Sequence, residues 1–261
     1  MAETVLPNAR SQVDGREKRL LVVVDGEGAH LYYTSILLQR LEYNIHTAKT
    51  AEDALEIVSV AHPALVLTEI SLIGMNGAEL LKKIKRSPQT HSVPVIILTS
   101  SKDQAIKDIC LQEECTAYLR KPVDPDVLYA EIQKATENTP RRYIRLQTCL
   151  NVIVGDEKTA ANSVIGDYIT ALSELGMYVS TSKPRPTGLQ IPIAIFLENS
   201  KINVEGMVLY SFNREEGPLK TPGMGIKFAR IKAKDQNLIK NFIKREITKG
   251  LTMGQMGGTI L

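Results

Sequence analysis

Three arginines, Arg141, Arg142 and Arg145, fall within the run Thr-Pro-Arg-Arg-Tyr-Ile-Arg. Guanidinium groups are planar, permanently charged and rich in donors, so a cluster of them suits phosphate oxygens and the acceptor edge of guanine. The same run also reads as a solvated basic hinge. A second set of chemistry-bearing residues is spread over the first half: Asp25, Glu69, Thr99, Ser100 and Lys121 each stand at the end of a short apolar run. Two acids, hydroxyls and a lysine form one polar pocket if the topology gathers those run ends.

The elements needed to gather them are legible. Strands are expected at Leu20–Val24, Asn44–Ala48, Ala64–Thr68, Val93–Leu98 and Ala117–Leu119, with helices near Ala29–Leu41, Ala51–Val60, Gly77–Ile84, Asp103–Cys110 and Pro125–Ala135. Strands alternating with helices imply a doubly wound parallel sheet covered on both faces, and function collects beyond the carboxyl ends of such strands. The second half differs. Leu150–Val154, Tyr168–Leu172, Gly176–Ser180, Ile191–Leu197, Met207–Phe212 and Gly225–Ile231 are strand-like, with turn residues and no crossover helices between them. That pattern points to an antiparallel barrel or sandwich. A last amphipathic helix near Asp235–Thr248, with Leu238, Ile239, Phe242, Ile243 and Ile247 as its apolar face, is expected to pack across it as a lid.

The expected organisation is therefore a disordered or loosely docked arm at 1–18, an α/β domain at 19–136, a linker at 137–145 and an all-β domain with its helix and a flexible Met-Gly tail at 146–261. A net charge of +3 is too small for a dedicated nucleic-acid binder, so any anion site is local. No apolar run is long enough to span a bilayer and the polar start lacks a signal-peptide core, so the expected location is cytoplasmic, with no membrane or DNA partner. Cys110, Cys115 and Cys149 form no CxxC pair, and His30, His46, His62 and His91 have no ligand spacing. No catalytic metal, triad or cofactor is expected, and the chain is read as noncatalytic.

Through Val-Val-Val-Asp-Gly-Glu, Leu-Val-Leu-Thr-Glu-Ile-Ser-Leu-Ile-Gly-Met-Asn-Gly, Val-Ile-Ile-Leu-Thr-Ser and Tyr-Leu-Arg-Lys-Pro-Val-Asp, the stretch Leu20–Ala135 resembles a response-regulator receiver domain. The resemblance implies a phosphoaspartate switch: an acid pair holding magnesium, a phosphoacceptor, a Thr/Ser sensor at Thr99, a phosphoryl-contacting Lys121 and an aromatic switch residue at Tyr118. Two residues depart from it. Glu69 stands at the phosphoacceptor position and Gly26 at the second acid, with Glu27 as a partial substitute. An extra methylene displaces the nucleophile, and one carboxylate fewer weakens a site for a cation that demands near-octahedral geometry, so neither phosphorylation nor magnesium is expected. Glu69 has two readings: a carboxylate imitating a phosphorylated state, or an ion pair with Lys121 in a relic pocket.

Arg141 and Arg145, with the later run Ala171-Leu172-Ser173-Glu174-Leu175-Gly176 and the closing Gly223-Met224-Gly225-Ile226-Lys227-Phe228, resemble the PilZ family and its R-x-x-x-R and [D/N]-x-S-x-x-G signatures. That resemblance implies a six-stranded barrel binding cyclic di-GMP, with Arg141, Arg142, Arg145, Ser173 and Gly176 as ligand residues. Ala171 departs, standing where the family has Asp or Asn. The resulting expectation is a cyclic di-GMP effector in which the ligand draws the linker onto the barrel, changes domain orientation and is read by an unidentified downstream protein, with receiver faces pairing as a homodimer. The rivals are a nucleotide-independent adaptor and a phosphorylatable response regulator.

Overall fold

Leu20–Val24 (β1), Leu65–Thr68 (β3) and Val95–Thr99 (β4) are uninterrupted runs of β-branched and leucine side chains before their polar ends, the composition of strands buried on both faces. In the computed structural model they form the centre of a five-stranded parallel sheet with Asn44–Ala48 (β2) and Ala117–Arg120 (β5) at its edges, in the order β2-β1-β3-β4-β5. The structure describes residues 18–155, 167–213, 216 and 221–251, so the expected arm, apart from Lys18, and the Met-Gly tail lie outside the described residues. Among the described residues, contacts divide the chain into two units, with boundaries between Arg142 and Tyr143 and between Glu246 and Ile247.

Five helices return the chain between strands: Gly28–Arg40 (α1), Ala51–Ala61 (α2), Gly77–Arg86 (α3), Gln104–Gln112 (α4) and Pro125–Thr136 (α5). Their starts are set locally. Thr50, Asp103 and Asp124 accept N-cap bonds, and Asn76 with Glu79 forms a reciprocal capping box. Helix α3 turns Leu80, Leu81 and Ile84 onto a core that includes Val22, Val66, Val95 and Ile97, while its last turn is basic, complementing the helix dipole. Because β1 is flanked by β2 on one side and β3 on the other, the order in which the strands are added reverses beside β1, and a crevice opens at the carboxyl ends.

The second unit is a closed antiparallel barrel of Leu146–Val154 (β6), Tyr168–Ser173 (β7), Gly176–Ser180 (β8), Gln190–Leu197 (β9), Ser200–Phe212 (β10) and Gly223–Arg230 (β11), in the order β10-β11-β8-β7-β6-β9. Strand β10 begins at Ser200 rather than Met207: Ile202 and Val204 point inward while Lys201, Asn203 and Glu205 face out, the alternation of a half-buried strand. Strand β6 begins at Leu146 rather than Leu150, its pattern broken by a bulge between Gln147 and Leu150. A final helix, Ala233–Thr248 (α6), buries Ile239, Phe242 and Ile243. Leu238, expected on that face, is 43% exposed, because the buried stripe runs through the neighbouring positions. Lys240 of α6 pairs with Glu174 in the β7–β8 turn at 3.5 Å, and Arg245 pairs with Glu198 in the β9–β10 turn at 2.6 Å. Register puts both turns at the end where β6 begins, so α6 lies across that mouth.

Candidate functional site

The carboxyl ends of β1, β3, β4 and β5 bring Asp25, Glu69, Thr99 and Lys121 together. Asp25 and Glu69 are 4% and 6% exposed, and Thr99 is fully buried. Oδ1 of Asp25 accepts from the Glu27 N–H at 2.9 Å, and its Oδ2 accepts from Lys121 Nζ at 2.5 Å. Glu69 is more heavily engaged. Its Oε1 accepts from the Thr99 hydroxyl, from the Ile70 N–H at 2.6 Å and from the Ser71 N–H at 3.4 Å. Its Oε2 accepts from Lys121 Nζ at 2.8 Å and from the Ser100 N–H at 3.1 Å. Ser100 contributes its backbone, which residue type alone does not reveal.

The local backbone holds this carboxylate in place. The Gly77 N–H donates to the Ile70 carbonyl at 3.0 Å, and a Cβ on Gly77 would lie 2.1 Å from the Glu69 carbonyl oxygen. Only glycine lets the start of α3 approach that closely. Gly26 is different: a Cβ there would meet nothing nearer than 3.8 Å, so its lack of a side chain is not a steric demand. The Glu27 carboxylate is 62% exposed and pairs with His30 Nδ1 at 3.0 Å, which sets it at the rim of the pocket. The Tyr118 ring packs against the sheet core, its buried hydroxyl has no hydrogen-bond partner among the described residues, and the Lys107 ammonium lies 6.0 Å from the ring centroid.

Of the arginine run, Arg141 is anchored through its backbone N–H, which donates to Gln133 Oε1 at 3.0 Å, while Gln133 Nε2 donates to the buried Tyr43 hydroxyl at 2.8 Å. Burial drives the Tyr43 phenol upward, keeping it a neutral partner. Arg142 and Arg145 are exposed. Leu146, which follows Arg145, pairs with Leu172, which precedes Ser173, so the last arginine of the run enters the barrel at the β7–β8 turn. The Ser173 hydroxyl donates to the Gly176 carbonyl at 3.0 Å, closing the β7–β8 turn. A Cβ on Gly176 would lie 2.3 Å from the Ile226 carbonyl oxygen, so strand packing by itself accounts for glycine there. Ala171 is buried between Gln147 and Tyr178 of the flanking strands.

The family model of the response regulator receiver domain matches residues 21–133, from β1 to the last turn of α5. Residues 21–133 are a receiver domain. Within this stretch the chain is 31% identical over 108 residues to two-component response regulator ORR6 of Oryza sativa subsp. japonica, covering 40% of this chain and 64% of that protein. It is 28% identical over 118 residues to response regulator PleD of Caulobacter vibrioides, covering 45% of this chain and 26% of that protein. The chain thus spans less than two thirds of the length of these two relatives. Protein PilH of Pseudomonas aeruginosa is 25% identical over 112 residues, covering 43% of this chain and 93% of that protein. Among solved structures, the signal receiver domain of an HD domain-containing protein from Pseudomonas fluorescens Pf-5 is 29% identical over 46% of this chain and 94% of that one, with a TM-score of 0.43.

The receiver-domain pocket of this chain does not fit a bound divalent cation. The Lys121 ammonium sits on both Asp25 and Glu69, Gly26 supplies no oxygen, and no group of three or more metal-binding His, Cys, Asp or Glu occurs among the described residues. Burial pushes the Glu69 carboxyl up, but hydrogen bonds from Lys121 and Thr99, the Lys121 charge and the Ile70 N–H outweigh it and hold the group below its ordinary 4.5. A carboxylate lowered by folding stabilises the fold fully above its unfolded-state value and loses that contribution as pH falls through the folded one. Thermal scans taken from neutral pH to below 4.5 should therefore show a steeper acid loss of receiver-domain Tm in the native chain than in Glu69→Gln. Parallel slopes would refute the pairing.

Proposed function

We propose that the chain is a noncatalytic cytoplasmic signalling protein whose receiver domain is held in one state without phosphorylation and whose barrel binds cyclic di-GMP. The observation that carries the first half is the saturation of Glu69: its two oxygens take up the Thr99 hydroxyl, the Lys121 ammonium and three backbone donors. A phosphoryl group offers the same type of acceptor oxygens to the same type of donors, and Glu69 presents them permanently. The inward packing of Tyr118 fits a domain resting in a single state.

The second half rests on the resemblance of the barrel motifs and on register: Leu146 and Leu172, the neighbours of the exposed Arg145 and of Ser173, are paired. No hydrogen bond or ion pair engages Arg145 among the described residues, leaving its guanidinium available to a phosphate or to guanine O6 and N7. Binding transmits a signal only to the extent that the ligand favours one state of the protein over another, and a downstream protein reads that difference. One observation favours the rival reading, an adaptor indifferent to nucleotide: the Ser173 hydroxyl already serves its own turn. Titration calorimetry separates the two. The native chain should bind cyclic di-GMP, and Arg145→Ala should bind about tenfold to a hundredfold more weakly, as loss of charged hydrogen bonds implies. No heat with the native chain would reject the nucleotide reading.

A further inference from the structure

Strand register draws a continuous row across the barrel surface: Gln147 on β6 opposite Ala171 on β7, Ala171 opposite Tyr178 on β8, Tyr178 opposite Gly225 on β11, and Gly225 opposite Tyr210 on β10. The adjoining row, Leu146, Leu172, Met177 and Ile226, is buried inside, so alternation puts the Gln147 row on the outer face. Arg145 and Ser173 flank the Leu146–Leu172 pair at the end of this ladder. One feature of the Gln147 row calls for an occupant. The Gln147 side-chain oxygen is buried and has no hydrogen-bond partner among the described residues. Beside it, Ala171 carries only a methyl group, which offers a polar ligand nothing in return.

A buried acceptor without a donor is destabilising, and a native site keeps one where something else supplies the donor. The group that would satisfy it offers N–H donors on a planar edge and carries acceptor or anionic atoms toward Arg145. A guanine nucleotide has both. We infer that Gln147 is a specificity-determining residue for the guanine of the bound dinucleotide, its Oε1 accepting from the N1–H and N2–H edge and standing in from the neighbouring strand for the amide or acid that Ala171 lacks. This inference rests on the nucleotide reading of the barrel and adds to it the residue that selects the base. It also accounts for how a chain with a methyl group at position 171 retains guanine recognition.

The test is calorimetry on the full chain with three probes: cyclic di-GMP, cyclic di-AMP and cyclic di-inosine monophosphate, which lacks the exocyclic amine. Native protein should prefer cyclic di-GMP over both. Gln147→Leu should bind cyclic di-GMP about tenfold more weakly and lose its preference over the inosine analogue. The Tm of the unliganded variant should not fall, because an apolar group of similar size replaces an unsatisfied acceptor. Unchanged affinity and base preference in Gln147→Leu, with native binding intact, overturns the role of Gln147 and leaves the nucleotide reading standing. A weaker variant whose unliganded Tm also falls assigns Gln147 to the fold and overturns the inference as well. Absence of native binding to any probe removes both.

Discussion

Lys121→Met should destabilise the receiver domain by about 3–5 kcal/mol, because it removes the one cation between two buried carboxylates. The lysine side chain is 6% exposed and bonds Asp25 and Glu69 at 2.5 and 2.8 Å. Without it, two negative charges face each other in a site closed to solvent, and at least one must take up a proton. Glu69 keeps its bonds from Thr99, Ile70 and Ser100, so the damage falls on the pair rather than on one residue. The receiver-domain transition in urea measures this directly. Adding Asp25→Asn to Lys121→Met should recover much of the loss, since it removes the repulsion. A loss below about 1 kcal/mol, the range of exposed ion pairs, would show that the pocket is wet and the pairing weak.

The second large effect is a gain of chemistry. Gly26→Asp combined with Glu69→Asp should let the receiver domain take a phosphoryl group from acetyl phosphate and magnesium, where the native chain is expected to take none. Shortening residue 69 withdraws its oxygens from the donors they now occupy, and the second acid supplies the oxygen ligand that the cation lacks. Steric room for that acid is present: a Cβ on Gly26 would lie 3.8 Å from the Lys49 carbonyl oxygen and 4.0 Å from that of Ser71. Each single variant repairs half of the site and should be labelled far less, because phosphoryl transfer depends on positioning and charge neutralisation together. Intact mass reads all three variants. Equal labelling of Glu69→Asp alone and of the double variant would remove Gly26 from the explanation.

The parallel sheet was legible because its central strands are unbroken apolar runs, and the pocket because each polar residue ends such a run. The donors that saturate Glu69 were less so: those from Ile70, Ser71 and Ser100 are backbone groups that residue type does not reveal, and the Ser100 donor reaches Glu69 only once β3 and β4 are side by side. In the barrel, the beginnings of β6 and β10 were hidden, one by a bulge after Gln147 and the other by alternation with Lys201, Asn203 and Glu205. Gln147 illustrates the limit. It lies two residues beyond the arginine motif and is no part of it, and its place beside Ala171 comes from pairing across 24 residues of chain, a relation no local pattern encodes.

The central claim is that Glu69 already fills the position a phosphoryl group would take. Intact-mass analysis of the native chain after incubation with acetyl phosphate and magnesium tests it most directly. The unmodified mass should persist; an added phosphoryl group that maps to the pocket of Asp25, Glu69 and Lys121 would contradict it.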